Sequence, residues 1–414
     1  MRLQWLAGIA MMTVACAPGT HPSTSSTSAS SGALVTSPRV SPTSTPPPAK
    51  DYATPTPLPA SAGPYVGDLT WVSDSMGWAL VQVPCAEQLC PGVAETTNGG
   101  VTWQGLPSLP VSRDTAAVAQ GDCEQADPCV SHTRFATSKI GYLFGPALFM
   151  TVDGGESWQA LVSPPIETLE ATGGYVFRVV YDNTGCPGPC NRTVEEAPAG
   201  SNTWHTLLQI PEGGDLDTAT LILQGSQTIY LPIYGNPAGG GIGDQEATFY
   251  RSLDGGQSWQ HLSDPCAAAV GDRSGTIAFA AAPEGYLAAL CEGVPGWAVL
   301  ASTDEGSTWG PLLSVPGSYV GLIATPGAGT LVIASAPVAG GGPDTSTLWI
   351  STDGGRSWSA AATDQVNLNT APLGASLYLG FEDAMTGRWV GDDQTIWTTT
   401  DGGTDWTARP FAIG

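Results

Sequence analysis

The apolar residues of this chain recur in short runs that are separated by turn-forming residues. The segment Thr70–Leu80, TWVSDSMGWAL, shows the pattern, with an apolar run, a polar turn and a second apolar run. Two such runs precede each copy of a motif rich in Asp and Gly. The second run often opens with a Gly-aromatic pair, such as Gly77-Trp78, Gly141-Tyr142 or Gly285-Tyr286. The pattern predicts an all-β chain that is built from repeated small sheets.

The repeated motif ends in Trp and occurs six times, with a degenerate seventh copy, APAGSNTW. Its turn positions are Asn98, Asp153, Asp254, Asp304, Asp353 and Asp401, and its closing residues are Trp103, Trp158, Trp204, Trp259, Trp309, Trp358 and Trp406. Successive tryptophans are 55, 46, 55, 50, 49 and 48 residues apart, the period of a four-stranded propeller blade. Asp accepts backbone hydrogen bonds within a tight turn, and Gly supplies positive φ. We therefore expect these residues to have structural roles.

The motif resembles the Asp-box (BNR) repeat of sialidases, sortilin-like receptors and Ycf48-type photosystem II assembly factors. In those families the motif joins the third and fourth strands of a propeller blade. The resemblance spans residues 67–414 and is greatest for Ycf48-type repeats. Counting the strand runs and boxes gives seven blades, and we expect a single seven-bladed β-propeller with four-stranded blades starting near residues 67, 131, 168, 217, 274, 318 and 374. Whether a strand near residues 64–67 pairs with blade seven stays open. A resemblance that rests on structural repeats predicts the fold but not the binding partner.

The N-terminus has the pattern of an export signal, with Arg2, an apolar run over Leu3–Val14 and a small residue before Cys16. It resembles a bacterial lipoprotein signal, although Thr13 stands where Leu is usual. The resemblance implies a signal peptide over 1–15, and lipid on Cys16 that anchors an exported protein to the outer face of a bacterial membrane. Ordinary secretion with cleavage nearby is the alternative. Residues 16–66 are rich in Ser, Thr and Pro, and they predict a disordered linker.

Eight cysteines remain once Cys16 is assigned to lipid, an even number that fits four disulfides in an oxidising compartment. Sequence proximity suggests the pairs Cys85 with Cys90, Cys123 with Cys129, Cys186 with Cys190, and Cys266 with Cys291. The propeller topology places all four on the face opposite the Asp-box turns. They then either staple long loops or preorganise a binding surface.

Composition excludes some functions and leaves others open. The formal net charge of -24 opposes binding to nucleic acid. Common catalytic motifs are absent, no cysteine or histidine spacing indicates zinc, and no cofactor is expected. A sialidase would use three arginines and an Arg-Ile-Pro motif, which this sequence lacks. The propeller region contains nine arginines: 113, 134, 178, 192, 251, 273, 356, 388 and 409.

Some loop residues could either bind a ligand or have only a structural or solvent-exposed role. The acidic clusters are either solvated or favour a cationic partner or weak Ca²⁺ binding; they comprise Asp122, Glu124, Asp127, Asp244, Glu246, Asp392 and Asp393. Trp297 and Tyr234 either pack between strands or anchor a peptide or glycan. The sequence predicts a non-catalytic, lipid-anchored scaffold that binds an unidentified protein, peptide or glycan. The alternative is a membrane-tethered exo-sialidase-like or other glycoside hydrolase.

Overall fold

The computed structural model describes residues 64–85, 88–107, 109, 130–182, 191–211, 216–235, 248–270, 275–293, 296–317, 320–335, 345–365, 378–391 and 395–414. They form seven antiparallel sheets, each made from one contiguous stretch of chain. The predicted single seven-bladed β-propeller is confirmed. The predicted signal segment and all but the last three residues of the predicted linker lie outside the described residues, and those last three lead into the first strand.

The strands follow one another blade by blade. Blade one contains β1 (Tyr65–Trp71), β2 (Gly77–Cys85), β3 (Gln88–Thr96) and β4 (Gln104–Gly105). Blade two contains β5 (His132–Phe135), β6 (Gly141–Phe144), β7 (Leu148–Thr151) and β8 (Gln159–Leu161). Blade three contains β9 (Ile166–Thr172), β10 (Tyr175–Tyr181), β11 (Arg192–Pro198) and β12 (His205–Ile210).

In blade four the first strand is split in two, and both parts pair with the next strand. Its elements are β13 (Leu216–Ala219), β14 (Ile222–Gln224), β15 (Thr228–Gly235), β16 (Thr248–Ser252) and β17 (Gln260–Leu262). A short helix, α1 (Pro265–Val270), leads into blade five, which has β18 (Gly275–Ala282), β19 (Tyr286–Gly293), β20 (Gly296–Ser302) and β21 (Leu313–Ser314).

The last two blades repeat the four-stranded arrangement. Blade six contains β22 (Val320–Gly327), β23 (Thr330–Ser335), β24 (Thr345–Ser351) and β25 (Ser359–Gln365). Blade seven contains β26 (Tyr378–Phe381), β27 (Gly387–Val390), β28 (Thr395–Thr399) and β29 (Thr407–Pro410). First strands of neighbouring blades contact each other, as β1 and β5 or β18 and β22 do, so the first strand of each blade is its inner strand.

The ring closes without an exchanged strand. β1 begins at Tyr65, two residues before the predicted start of the domain, and it pairs with β2 of its own blade rather than with blade seven. The chain instead returns to blade one after β29, where Ile413 forms a parallel bridge with Trp103. The amide of Gly414 donates to the Trp103 carbonyl at 2.9 Å, and the rings of Phe411 and Trp103 lie 5.1 Å apart. The strand that begins at Tyr65 therefore does not pair with blade seven, and the C-terminal residues make the contact between the two ends of the ring.

The hydrophobic core lies between the blades rather than at the axis. Each of seven buried clusters joins residues from two adjacent blades, and the cluster at the closure joins blade seven to blade one. Between blades one and two, for example, Trp78 stacks on Phe135 with ring centroids 3.7 Å apart. Both faces of every blade are thereby buried, as expected for a closed ring of sheets.

The Gly-aromatic pairs have a steric reason. Gly77 lies opposite Trp71 in the ladder, and Gly141 lies opposite Phe135. A Cβ atom on Gly77 would be 2.4 Å from the Trp71 ring, and one on Gly141 would be 2.5 Å from the Phe135 ring. The aromatic side chain that ends the inner strand therefore covers the first residue of the second strand, and only glycine leaves room for it.

A repeated hydrogen bond fixes which loops share a face. In blade five the backbone amide of Glu305, in the Asp box, donates to the carbonyl of Gly285, in the turn between the first two strands, at 2.9 Å. In blade six Gly354 donates to Gly329 in the same way, at 2.8 Å. All seven blades have an equivalent bond. Asp boxes and 1–2 turns therefore share one face, and the 2–3 loops and interblade connections emerge on the other.

Candidate functional site

The Asp boxes form a closed network of turn hydrogen bonds. In blade six the hydroxyl of Ser351 donates to Oδ1 of Asp353 at 2.8 Å and accepts from the amide of Gly355 at 2.8 Å. The amide and hydroxyl of Ser357 donate to the two carboxylate oxygens of Asp353 at 2.9 and 2.6 Å. The same network recurs around Asp153, Asp254 and Asp304, and Asp401 keeps its bonds to backbone amides. Asn98 replaces the carboxylate in blade one, where its Oδ1 accepts from the Thr102 amide at 2.9 Å.

The carboxylates of the boxes are occupied within their own turns. Hydrogen bonds from the following Ser or Thr hydroxyl lower the pKa of Asp254, Asp304 and Asp353 to about 2. Each group is therefore ionised at neutral pH and serves as an acceptor that holds the turn. Each carboxylate bonds to its own blade, which is what the predicted structural role requires.

The closing tryptophans pack between blades. Trp103 is buried in the closure core, and the others are half-buried. The indole N–H groups of Trp259, Trp358 and Trp406 donate to the carbonyl of the glycine three residues before, at 2.8 to 3.1 Å. In the degenerate copy Trp204 lies under the guanidinium of Arg178, 3.7 Å from the ring centroid.

Of the predicted disulfides, Cys266–Cys291 is present in the structure, with Cα atoms 5.5 Å apart. It ties α1 to β19, and both sulfurs are buried between blades four and five. The other pairs stay predictions: the side chains of Cys85 and Cys90 lie outside the described part of the molecule, as do residues 123, 129, 186 and 190. Cys16 and the acidic loop clusters also lie outside it.

A polar cluster on the inner strands was not expected from the sequence. Arg134 on β5 donates from Nη1 to Oδ2 of Asp68 on β1, and from Nε to Oε1 of Glu170 on β9, both at 2.8 Å. Nδ1 of His132 lies 3.5 Å from the same Asp68 oxygen, and Tyr378 on β26 approaches the cluster from blade seven. We call Asp68, His132, Arg134, Glu170 and Tyr378 the axial cluster.

The two carboxyl groups of the axial cluster differ in their pKa values. Burial raises the pKa of Glu170 above its usual range, and Arg134 only partly opposes this rise. Burial also acts on Asp68, but Arg134, His132 and the Thr133 amide outweigh it and hold its pKa below the usual range. Asp68 is therefore the anion that pairs with Arg134, and it also caps the Thr133 amide at the open edge of β5, at 2.9 Å.

The other buried arginines also have partners within the frame. Arg178 pairs with Glu195 at 2.7 Å, and Arg192 pairs with Glu167 at 2.8 Å. Arg251 donates from Nη1 to the Glu305 carbonyl in the next blade at 2.6 Å. Residues 113 and 273 lie outside the described ranges.

Blade seven contributes a buried carboxyl beside the closure. Both oxygens of Glu382 are buried without a hydrogen-bond partner, and Oε2 lies 3.6 Å from Nη1 of Arg388. Burial raises the pKa of Glu382 to about 7, against the opposing charge of Arg388. Arg388 stacks on Trp71 of blade one, 4.3 Å from the ring centroid, and donates to the Asp74 carbonyl at 3.1 Å. This group therefore links blade seven to blade one.

The candidate aromatic anchors lie within the packed strands. Tyr234 on β15 packs against Phe279, with ring centroids 6.5 Å apart, and Trp297 on β20 packs on the core between blades five and six. Their contacts match the interpretation that they pack between strands. Among the described residues no group of three or more His, Cys, Asp or Glu side chains could hold a metal ion. Within the same part of the chain, no helix has the length and apolar character needed to cross a membrane.

Comparison with known proteins identifies the fold. No family model and no curated protein matches the chain. Among solved structures, Ycf48 bound to a D1 peptide shares 18% identity at a TM-score of 0.52, over 85% of this chain and 99% of that one. The GH74 xyloglucanase from Xanthomonas campestris shares 14% identity at a TM-score of 0.55, over 87% of this chain and 56% of the enzyme.

A third solved structure is also similar. The β-propeller domain of the Trilobed protease from Pyrococcus furiosus shares 9% identity at a TM-score of 0.52, over 84% of this chain and 95% of that domain. The three proteins have different names and activities, and identities this low establish only that the chain has a β-propeller fold.

Proposed function

We propose that the chain is a non-catalytic binding scaffold for a protein, peptide or glycan, exported and held at a bacterial membrane by lipid on Cys16. The observation that supports it best is that three arginines of blades two and three are paired with carboxylates of the frame itself. Arg134 is neutralised between Asp68 and Glu170, and Arg178 and Arg192 each have a carboxylate partner. A carboxylate-binding arginine in an active site would need donors that are free for substrate.

The binding surface in this proposal is the face opposite the Asp boxes. The 2–3 loops and interblade connections emerge there, and recognition is commonly carried by loops on a rigid scaffold. The Cys266–Cys291 bridge fixes one interblade connection to the body of blade five. A loop held in this way loses less conformational entropy when it binds a partner.

The test has two parts. The purified full chain is used to capture partners from an envelope extract and to probe a glycan array, and hydrogen exchange is then measured with the captured partner. We expect protection at the interblade and 2–3 loops, and weaker binding of a Cys266→Ser/Cys291→Ser variant that is still folded. Protection confined to the Asp-box turns would contradict the proposed surface.

The lipid anchor is tested separately. Cys16→Ser should move the protein from the membrane fraction to the soluble fraction, and it should remove the mass of the lipid from the mature chain. A Thr13→Ser variant, which leaves Cys16 in place, serves as the control. Unchanged membrane retention and unchanged mass in Cys16→Ser would refute the anchor but not the binding role.

A glycoside hydrolase is the second candidate, and the axial cluster is the observation that favours it. Paired carboxyl groups whose pKa values are displaced in opposite directions are typical of acid–base catalysis, and Glu170 and Asp68 form such a pair. We expect no turnover of sialosides, aryl glycosides or xyloglucan. Turnover that is abolished by Glu170→Gln but kept by the exposed control Glu284→Gln would establish the enzyme instead.

A further inference from the structure

Blade one has an asparagine at the box position where five other blades have aspartate. Asn98 is followed by Gly99, and this is the only Asn-Gly pair in the sequence. Asn98 is also exposed, on the face that the Asp boxes share. Because glycine has no side chain, nothing on Gly99 itself shields its backbone nitrogen from the amide carbon of the asparagine before it. The pair is therefore the place in this chain where a backbone nitrogen most readily attacks a side-chain amide.

The reaction at such a pair needs water and no other reactant. The Gly99 nitrogen forms a bond to Cγ of Asn98, the bond between Cγ and Nδ2 breaks, and Nδ2 leaves as ammonia with the hydrogen of the Gly99 amide. One water molecule then opens the cyclic succinimide. Attack at Cγ gives aspartate, and attack at the backbone carbonyl carbon of residue 98 gives isoaspartate, in which the main chain runs through the former side chain. Both products carry an added negative charge at neutral pH.

The folded turn engages both reacting groups in other bonds. The Gly99 amide donates to the Ser75 carbonyl at 2.8 Å. Oδ1 of Asn98 accepts from the Thr102 amide at 2.9 Å and from the Thr96 hydroxyl at 3.0 Å, and Nδ2 donates to the Thr102 hydroxyl at 2.8 Å. The ring can close only after these bonds are released. We therefore expect the reaction to proceed from states in which the box of blade one has opened.

The same turn accommodates the aspartate product. In blade five the amide and hydroxyl of Thr308 donate to the two carboxylate oxygens of Asp304, at 2.8 and 2.6 Å. Thr102 is the equivalent residue in blade one, and its hydroxyl can rotate to donate to a carboxylate oxygen. A charge-assisted hydrogen bond then replaces the neutral one from Nδ2. Aspartate at position 98 therefore gives blade one the same box that five other blades already have.

The isoaspartate product does not fit this turn. It inserts a methylene group into the main chain before Gly99 and shortens the side chain that reaches Thr102. The displaced Gly99 amide is the group that holds the turn between the first two strands of blade one, through Ser75. In that turn the Asp74 carbonyl accepts from Nη2 of Arg388 at 3.1 Å. Isoaspartate therefore weakens a contact that joins blade seven to blade one.

We propose that Asn98 is a site of spontaneous deamidation whose rate and outcome are controlled by the fold. The reaction is slow while the box of blade one is closed. The aspartate product restores a closed box, and the isoaspartate product loosens the junction between blades seven and one. The site lies on the face opposite the proposed binding surface of the scaffold, and it does not depend on that proposal.

The first test compares the rate in the folded and unfolded chain. The purified full chain is incubated at pH 8 in buffer and in urea, and deamidation is followed by peptide mapping with mass spectrometry and by enzymatic methylation of isoaspartate. We expect the folded chain to react at least about tenfold more slowly than the unfolded chain, because several hydrogen bonds must open first. Equal rates in the two conditions, or an Asn98 that stays intact in urea, would overturn the proposal.

Two matched variants test whether the turn itself sets the rate. Thr102→Val removes the hydroxyl that accepts from Nδ2 of Asn98, and it should speed deamidation of the folded chain about two- to tenfold. Thr308→Val makes the same change in the box of blade five, and it should leave the rate at Asn98 as it is in the unmodified chain. If the two variants deamidate at the same rate, the turn of blade one does not protect Asn98.

The two products are tested by stability. Asn98→Asp cannot release ammonia, and its midpoint of urea unfolding should equal or exceed that of the unmodified chain. Chains enriched in isoaspartate by ageing in urea and then refolded should unfold at a lower urea concentration. They should also exchange amide hydrogens faster in the turn between the first two strands of blade one. An Asn98→Asp chain of lower stability, or isoaspartate chains that unfold as the unmodified chain does, would contradict the proposed outcomes.

Discussion

The buried carboxyl of Glu382 should make the propeller less stable as the pH rises from about 4.5 to about 7. Its side chain is 9% exposed, neither oxygen has a hydrogen-bond partner, and Nη1 of Arg388 is no closer than 3.6 Å. Burial raises its pKa from 4.5 to about 7, so the native state keeps its proton where the unfolded state has lost it. In that window the native state binds more protons, and its stability falls with rising pH.

The size of the effect follows from the same two values. At 1.36 kcal/mol for each tenfold change in proton affinity, a pKa that moves from 4.5 to about 7 corresponds to about 3 kcal/mol. The full loss is reached above pH 7, where the carboxyl is ionised in both states. Glu382→Gln keeps the shape of the side chain and cannot ionise. The free energy of unfolding of this variant should therefore lack this component of the pH dependence. Losing the charge beside Arg388 can also lower the stability, but by the same amount at every pH.

The assay is urea unfolding followed by tryptophan fluorescence at pH 5 and pH 8. Asp383→Asn is the matched control, because backbone amides of Thr386 and Met385 lower the pKa of this exposed neighbour. Asp383 is ionised in both states across the assay window, but its charge adds to the rise in the pKa of Glu382. Asp383→Asn should therefore reduce the pH dependence of stability, whereas Glu382→Gln should remove this component of it. If Glu382→Gln loses as much stability from pH 5 to pH 8 as the unmodified protein does, the reasoning about Glu382 is wrong.

Three further variants probe the closure, the strand start and the box. Phe411→Ala removes a buried ring between blade seven and blade one and should lower the free energy of unfolding in urea by about 3 to 5 kcal/mol. An unchanged unfolding midpoint would show that this ring does not hold the two blades together. Gly77→Ala places a methyl group 2.4 Å from the Trp71 ring and should cost about 1 to 3 kcal/mol; a neutral result would mean that this ring moves freely. Asp353→Ala should lower the melting temperature while binding of a captured partner persists in the folded fraction, and selective loss of that binding would contradict a purely structural box.

The sequence predicted the parts of the fold that repeat. Each Asp box lies at a tight turn because Asp, Gly and Trp act within a few residues of one another, so the local pattern contains the whole interaction. The axial cluster is different, because Asp68, Arg134 and Glu170 lie on separate blades and meet only when the ring closes. The bridge between Ile413 and Trp103 joins single residues at distant points of the chain, and no periodic pattern marks it.

The late outer strand of blade five is an intermediate case, since β21 begins at Leu313, four residues after Trp309. The Gly310-Pro311 pair directly after Trp309 could have predicted a late outer strand, since proline interrupts a ladder.

Because no strand is shared between the two ends of the ring, each blade is encoded by one contiguous segment of the gene. A duplication that starts and ends at equivalent interblade points would add one whole four-stranded sheet, and a deletion would remove one. In some propellers the N-terminal segment supplies the outer strand of the last blade. In such a ring, a duplication or deletion that involves the first or last blade would leave one sheet a strand short. Here only the side chains that pack blade seven on blade one, among them Phe411 and Ile413, would need to adapt to a ring of a different size.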